Sequence, residues 1–401
     1  MKFGLSKLKL SKDIYILLWA VLIMHVASYI IIPVLPIIFK TEKGINPTQI
    51  GLIIGFGSIA FQVGNIISGA ISDRIGKKTT MLIGSIIQAL AFIGYGLSHT
   101  YFLLLVFSFL NGVGSGIYAP TLKAALSILA SDSADTSTTA FSLRGIAANI
   151  GTSIGGLIVL FLTIQKSNII FFIAASTYGI LALFTLILLP KDCNGEKCPR
   201  VPLNSYKLIF KNKPFIIFGI LVVLFNGIYS LLELLLPLRA DAVLANGKIV
   251  GLIFTIMSLS VIIFQGFISK YILRKINPLT SIFIAMVFFA AGLYFIGSSY
   301  TFLSLTVSAV IFTIGQMLML PTTDSVVSQM ADAKLIGAYF SIANLLHGLG
   351  SAGGAFIAGR LINVYGIEKS ITPWLIFTIA SLAIGILLLI VKNLPTIKHS
   401  L

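Results

Sequence analysis

The sequence predicts an all-α membrane protein: 12 transmembrane helices in two pseudo-symmetric six-helix bundles, with both termini in the cytoplasm. Three observations predict it. The 401 residues are 57% hydrophobic and only 10% charged, with a mean hydropathy of +1.03, too little charge to cover a soluble surface. Twelve apolar runs can be drawn, each able to cross a hydrocarbon core about 30 Å thick. The second six runs repeat the first six.

The basic start, "MKFGLSKLKLSKD", looks like the opening of a signal peptide. The run behind it, 14–39, is too long for a signal core and no small-residue cleavage site follows, so it reads as an uncleaved first helix. The next runs are 48–72, 79–97, 101–130, 137–164 and 169–190, which closes an N-terminal bundle over 1–190. A polar cytoplasmic linker, 191–213, follows. The runs 214–238, 249–270, 279–297, 301–330, 335–362 and 371–391 make a C-terminal bundle over 214–401. None alternates with period two, and only helices or closed barrels satisfy their backbone in lipid, so the runs are helices. In the linker, "NSYKLIFKNK" puts Tyr206, Ile209 and Phe210 near one face. That suits either a short helix on the inner leaflet or a solvated linker. Cys193 and Cys198 read as reduced cytosolic thiols, because two thiols without a nearby His cannot complete a zinc site.

Orientation follows from Lys and Arg. One side of the predicted helices holds Lys2, Lys7, Lys9, Lys12, Arg74, Lys77, Lys78, Lys191, Lys197, Arg200, Lys207, Lys211, Lys213, Arg274 and Lys275. The other holds far fewer, such as Lys40, Lys43, Lys166 and Lys248. The richer side is the cytoplasm, and both termini lie there.

The repeat is visible in three ordered matches, each offset by about 200 residues. "TYFLLLVFS" (Thr100–Ser108) returns as "YTFLSLTVS" (Tyr300–Ser308). "GIYAPTLKAALS" returns as "MLMLPTTDSVVS", and "AFSLRGIAANIGTSIGG" (Ala140–Gly156) as "YFSIANLLHGLGSAGG" (Tyr339–Gly354). Parallel halves of this kind enclose a site between them.

Several functions are excluded. The net charge of +16 sits in short gaps between apolar runs, not in long basic stretches interleaved with aromatics, so nucleic acid is not a partner. No nucleotide-binding loop, catalytic triad or metal-ligand spacing is present, so no enzyme activity, metal or cofactor is expected. A proton gradient is the expected energy source.

One polar interruption stands out: "GAISDRIGKKTTML" after the second run. Gly69 suits close helix approach, Gly76 a sharp turn, and Asp73 a helix N-terminus or a base of the other half. With Arg74, Lys77 and Lys78, these residues resemble the signature turn of the major facilitator superfamily. The 12-run layout and the half-repeat extend that resemblance over nearly the whole chain. It implies the major facilitator fold and a turn that locks the halves on the cytoplasmic side. The equivalent turn, "SKYILRKINP", keeps bases but has no Asp. "NIGTSIGG" resembles the glycine-rich antiporter motif of drug exporters, with Gly151 and Gly155 as a packing seam and Ile154 where that motif has Pro. "SFLNGVGSG", in the fourth run, carries Phe109 where many drug/proton antiporters carry an Arg.

An ionisable group inside a span is a functional candidate by default. Of 12 Asp and Glu, only Glu233, Asp324 and Asp73 fall near or within spans, and Glu233 and Asp324 are the candidates for proton coupling. Glu233, in "GIYSLLELLLPLRAD", precedes Pro237, which can break the helix locally. It resembles an acidic residue of small bacterial multidrug exporters, and Arg239 is its structural alternative partner. Lys123 in "PTLK" and Asp324 in "PTTD" hold matching places in the two halves, about 10 Å inside the cytoplasmic helix ends. They suit an inner gate, which Arg144 could share. His25 and His347 can titrate near neutrality. Tyr29, Phe61, Gln62, Asn111, Tyr118, Asn149, Asn226, Tyr229, Phe312 and Gln316 complete the expected wall of an apolar cavity with few fixed charges.

The expected function is proton-driven export of lipophilic or amphipathic small molecules by a monomer in a bacterial plasma membrane. Uptake by symport is an alternative within the same class. A non-transporting membrane sensor or scaffold is the rival from another class.

Overall fold

A computed structural model describes residues 10–130, 134–162, 167–189, 209, 211–273, 275–331, 336–368 and 370–398. Side chains at 70, 73, 134–138, 167, 336–338, 396 and 398 are outside that description. The described residues contain no strand. Twelve helices are long and apolar enough to span a membrane.

In the first half these are α1 (Lys12–Tyr29), its short continuation α2 (Leu35–Thr41), α3 (Pro47–Ile75), α4 (Lys77–Leu97), α5 (Tyr101–Leu129), α6 (Ala134–Phe161) and α7 (Ser167–Leu188). In the second half the seventh span is split into α8 (Lys213–Tyr229) and α9 (Leu231–Leu244). The remaining spans are α10 (Ile249–Ile268) with a π-helical end (Ser269–Leu273), α11 (Pro278–Ser298), α12 (Phe302–Met330), α13 (Ile336–Tyr365) and α14 (Thr372–Lys392). The chain's described part ends in α15 (Pro395–Lys398). Start signals are local. Asn46 and Gln49 form a reciprocal cap on α3 with Pro47 in its first turn, and Asn212 and Asn277 cap α8 and α11 ahead of Pro214 and Pro278, the asymmetry expected of helix entries. The expected linker lies almost wholly outside the described residues, with Cys193, Cys198, Tyr206 and Phe210.

The packing of the two halves corresponds pair by pair. α3 packs on α5, α5 on α4, α4 on α7, and α1 on α6 and α7. Six spans later, α10 packs on α12, α12 on α11, α11 on α14, and α8 on α13 and α14. The main contacts between halves, α3 with α13 and α6 with α10, are also exchanged by this operation. The first and seventh spans break at equivalent points, after Tyr29 and after Tyr229.

Contacts between halves concentrate at the end of the molecule away from the chain's first and last described helices, here the far face. There the backbones approach closely, as small residues permit. A Cβ on Gly51 would strike the Ala355 carbonyl. One on Gly156 would lie 2.5 Å from the Gly251 carbonyl oxygen. Thr255 Oγ1 donates to Ser153 O at 2.9 Å, and Ser258 Oγ to Asn149 O at 2.9 Å. At the opposite, terminal face the halves part. α5 and α12 do not pack closely on each other, and Lys123 and Asp324 upon them are exposed. The outer surface is apolar, with Phe102, Phe161, Ile187, Ile263 and Ile379 exposed, as lipid requires.

Two expectations are corrected. A Cβ on Gly69 would meet open space, so no helix is seated on that glycine. The seventh span breaks at Ser230, not at Pro237, which lies inside α9. Ser230 Oγ donates to Gly227 O at 3.0 Å and to Ser351 O at 3.2 Å, which ties the break to α13. Pro237 lacks the N–H that would reach the carbonyl of Glu233, four residues back.

Candidate functional site

Because the first and seventh spans break midway, Tyr29 and Tyr229 end α1 and α8 facing the space between the halves. Two adjoining cavities lie there. The larger, about 480 Å³, is lined by α3, α5, α13 and the two broken spans. The smaller, about 80 Å³, is lined by α6, α10, α12 and the same broken spans. Tyr29, Tyr229 and Glu233 line both.

Glu233 occupies the first turn of α9. Its side chain is open to the cavities and has no hydrogen bond or ion pair to a described residue. Tyr29 and Tyr229 lie close enough to feel its charge, and Thr152 shares the wall of the smaller cavity with them. A carboxylate without a partner in a low-dielectric space requires a cation or a proton. Arg239 is not that partner. It is buried, and its guanidinium donates to the carbonyls of Gly297, Ser299, Ile367 and Glu368 at 2.7–3.1 Å.

Of the expected cavity residues, Tyr29, Phe61, Gln62, Asn111, Asn149, Tyr229, Glu233, Gln316 and His347 line one cavity or both. The amide oxygens of Gln62 and Asn111 are buried without a partner. Asn149 also ties the halves, its Oδ1 accepting from Ser258 Oγ at 3.0 Å. Four residues are corrected, because their helix faces turn them elsewhere. Tyr118 is buried against α7, its hydroxyl 3.5 Å from Thr185 Oγ1. Phe312 stacks on Phe289 inside the second half, with centroids 4.3 Å apart. Asn226 is buried, with Nδ2 on Val222 O at 2.8 Å. His25 donates from Nδ1 to Val21 O at 2.8 Å and packs on Gly151. The seam expected at Gly151 and Gly155 is present, against Leu22, Val26 and Tyr29 of α1.

Asp324 lines neither cavity. It faces Lys123 across the open terminal face, while Arg144 lies near His25 instead. In the signature turn, Gly76 has φ 86°, which favours glycine. Lys78 Nζ donates to Leu189 O at 2.8 Å, fastening the turn to the end of α7. Arg74 is exposed and Lys77 half-buried; the Asp73 side chain is outside the described residues. Sequence reasoning missed Ser58, Ser108, Ser115 and Ser351 of the larger cavity and Thr152 and Thr313 of the smaller. Small hydroxylic residues are common in spans, and only the "GTS" and "GSA" segments of the repeat hinted at them.

A mid-membrane cavity shared by two pseudo-symmetric halves and closed at one face defines a membrane transporter of the paired-bundle kind. The chain belongs to the Major Facilitator Superfamily, whose sequence model matches residues 17–355. It is 27% identical to an uncharacterized MFS-type transporter, YqjV, of Bacillus subtilis, over 92% of this chain and 91% of that one. It is 22% identical to the multidrug resistance protein MdtH of Salmonella typhimurium, over 91% and 90%. Among solved structures it resembles the nucleoside transporter NupG (TM-score 0.84, 16% identity, 95% of this chain and 100% of that one). It also resembles a peptide transporter of the POT family crystallised with alafosfalin (TM-score 0.80, 16% identity, 97% and 96%). At such identity these structures speak for the fold alone.

Proposed function

We propose that this chain exports lipophilic or amphipathic small molecules in exchange for protons, the bundles 1–190 and 214–401 rocking about the central cavity on the linker 191–213. The carrying observation is the Glu233 carboxylate, alone between two tyrosines in a cavity shared by both halves. A proton and a cationic or donor-bearing substrate compete for it, so loading one releases the other. Its apolar and aromatic walls suit a lipophilic body. The name of the MdtH relatives supports export. Orientation by Lys and Arg puts the terminal face, open here, toward the cytoplasm of a bacterial plasma membrane, the side from which an exporter loads. The machine works as a monomer and takes its energy from the proton gradient.

Flux in proteoliposomes under an imposed pH gradient tests this. Substrate movement against the proton flow is expected. Glu233→Gln should lower gradient-driven flux by on the order of tenfold or more, about 1.4 kcal/mol of lost coupling. Movement with the proton flow would favour uptake by symport, and binding without flux would favour a sensor.

A further inference from the structure

A lateral groove of about 280 Å³ lies on the outer surface of the second half, between α8, α13 and α14. Ile228, Leu231 and Phe377 are buried and form its floor, while Leu349, Ile357 and Ile376 are exposed and form its rim. Every residue that lines it is apolar, and none of them lines either central cavity. Gly353 leaves it open: a Cβ there would meet nothing. The wall behind it is one helix layer thick, since Ser230 and Ser351, next to the groove's Leu231 and Gly350, line the larger cavity.

The half-repeat explains why the groove is there. Gly350 and Gly354 seat α13 on the carbonyls of Val223 and Gly227, as Gly151 and Gly155 seat α6 on those of Leu22 and Val26. In that register Gly353 stands where the first half has Ile154, and Arg360 stands where it has Phe161. Ile154 and Phe161 are both exposed on the outer surface. The first half thus carries bulk where the second half has an opening, and an apolar ring where the second half has a cation. Arg360 follows Gly353 by two turns less about 20°, so it sits on the same stripe of α13, about 10 Å nearer the far face. It is exposed and has no hydrogen bond or ion pair to a described residue. The helix ends soon after it, at Tyr365, also exposed, as an aromatic at the membrane interface would be.

In a membrane this groove opens into hydrocarbon. An apolar hollow stays dry, and leaving it empty forfeits the dispersion contacts of its walls. A lipid chain restores them. A long arginine stem carries its charged head toward the interface, where the planar fork matches phosphate oxygens. We propose that the groove and Arg360 form a binding site for a phospholipid of the far-face leaflet, with an acyl chain between α8, α13 and α14 and the phosphate on Arg360. The site belongs to the second half alone. It does not depend on what the protein transports or in which direction.

The test uses the full chain in nanodiscs of phosphatidylethanolamine, doped with a phosphatidylethanolamine that carries a diazirine halfway along one acyl chain. After irradiation, peptide mass spectrometry maps the adducts. They should be enriched on 223–231, 349–357 and 376–384 over the counterpart stretch 150–158. Gly353→Leu fills the opening without striking backbone and should lower the groove adducts by on the order of tenfold. Arg360→Gln should lower them about fivefold, as loss of one basic group near a lipid surface would, and Arg360→Lys should keep most of the labelling. A diazirine diacylglycerol, which lacks the phosphate, should label the groove less and ignore Arg360→Gln. If one variant fails to fold, the other still decides. Adducts spread evenly over both halves, or unchanged by Gly353→Leu and Arg360→Gln, would overturn the site. Displacement of the adducts by tetraphenylphosphonium would also overturn it, because the groove would then be an entrance for lipophilic cations and not a lipid site.

Discussion

Arg239 shows what a single buried charge does when its partners are carbonyls. Its guanidinium donates four hydrogen bonds to backbone oxygens and lies 5.0 Å from the Tyr300 ring centroid. Bonds to charged donors are worth roughly 1.5–3 kcal/mol each before losses shared among them. Arg239→Met should therefore cost roughly 3 kcal/mol or more, read as a lower thermal midpoint of the purified chain. Arg239→Lys should recover only part, because an ammonium lacks the planar fork. An unchanged midpoint in both would remove the clamp. Lys43 is a second buried cation, its Nζ donating to Gly96 O at 3.1 Å, and it carries a pH signature. Burial holds its ammonium below the usual lysine range, with Glu42 opposing. Between that depressed value and the ordinary one the unfolded chain binds more protons, so this group makes stability rise with alkaline pH. The difference in midpoint between the parent and Lys43→Met should change across that range in this direction, and a constant difference would contradict it.

The sequence made Arg239 an alternative partner for Glu233, which it is not. Backbone carbonyls leave no mark in a sequence, so a cation satisfied by them cannot be told from one seeking a carboxylate. The same limit explains Tyr118, Asn226, Phe312 and His25. Residue type marked them as cavity groups, but each residue turns the helix by about 100°. Asn226 is buried inside its own half, while Tyr229, about 60° round the helix and at its broken end, reaches the cavity.

At the scale of elements, the 12 spans were legible because apolar runs of this length have few other uses. The broken first and seventh spans were not. Pro237 drew the expected break, yet the chain bends at Ser230, whose hydroxyl reaches the carbonyls of Gly227 and Ser351. Gly69 was read as a packing residue because glycines in spans commonly are, whereas the close approaches fall at Gly51, Gly156 and Gly251. Those contacts give a prediction. Gly156→Val puts methyl groups into the Gly251 backbone and Thr255 Oγ1, so the far face should not close. The distance between spin labels at the exposed far-face positions His99 and Asn246, read by double electron–electron resonance, should lengthen, and flux should fall by on the order of tenfold. A far face as tightly closed as the parent's would place the seam elsewhere.

The whole molecule behaves, in this account, as two copies of one unit facing a shared hollow. The repeat was readable in three short matches, and the packing confirms the exchange of each span for its partner six later. The state of the molecule was not readable, because closure at one face depends on backbone approach and not on composition. The central claim is that the hollow opens to each side of the lipid in turn. The measurement that tests it most directly uses Ser115→Cys, in the wall of the larger cavity, with Cys193 and Cys198 replaced by Ser. A membrane-impermeant maleimide is added to either side of oriented vesicles. The account predicts labelling from both sides, each slowed when the opposite face is held open. Labelling from the terminal face alone, under every gradient imposed, would contradict it.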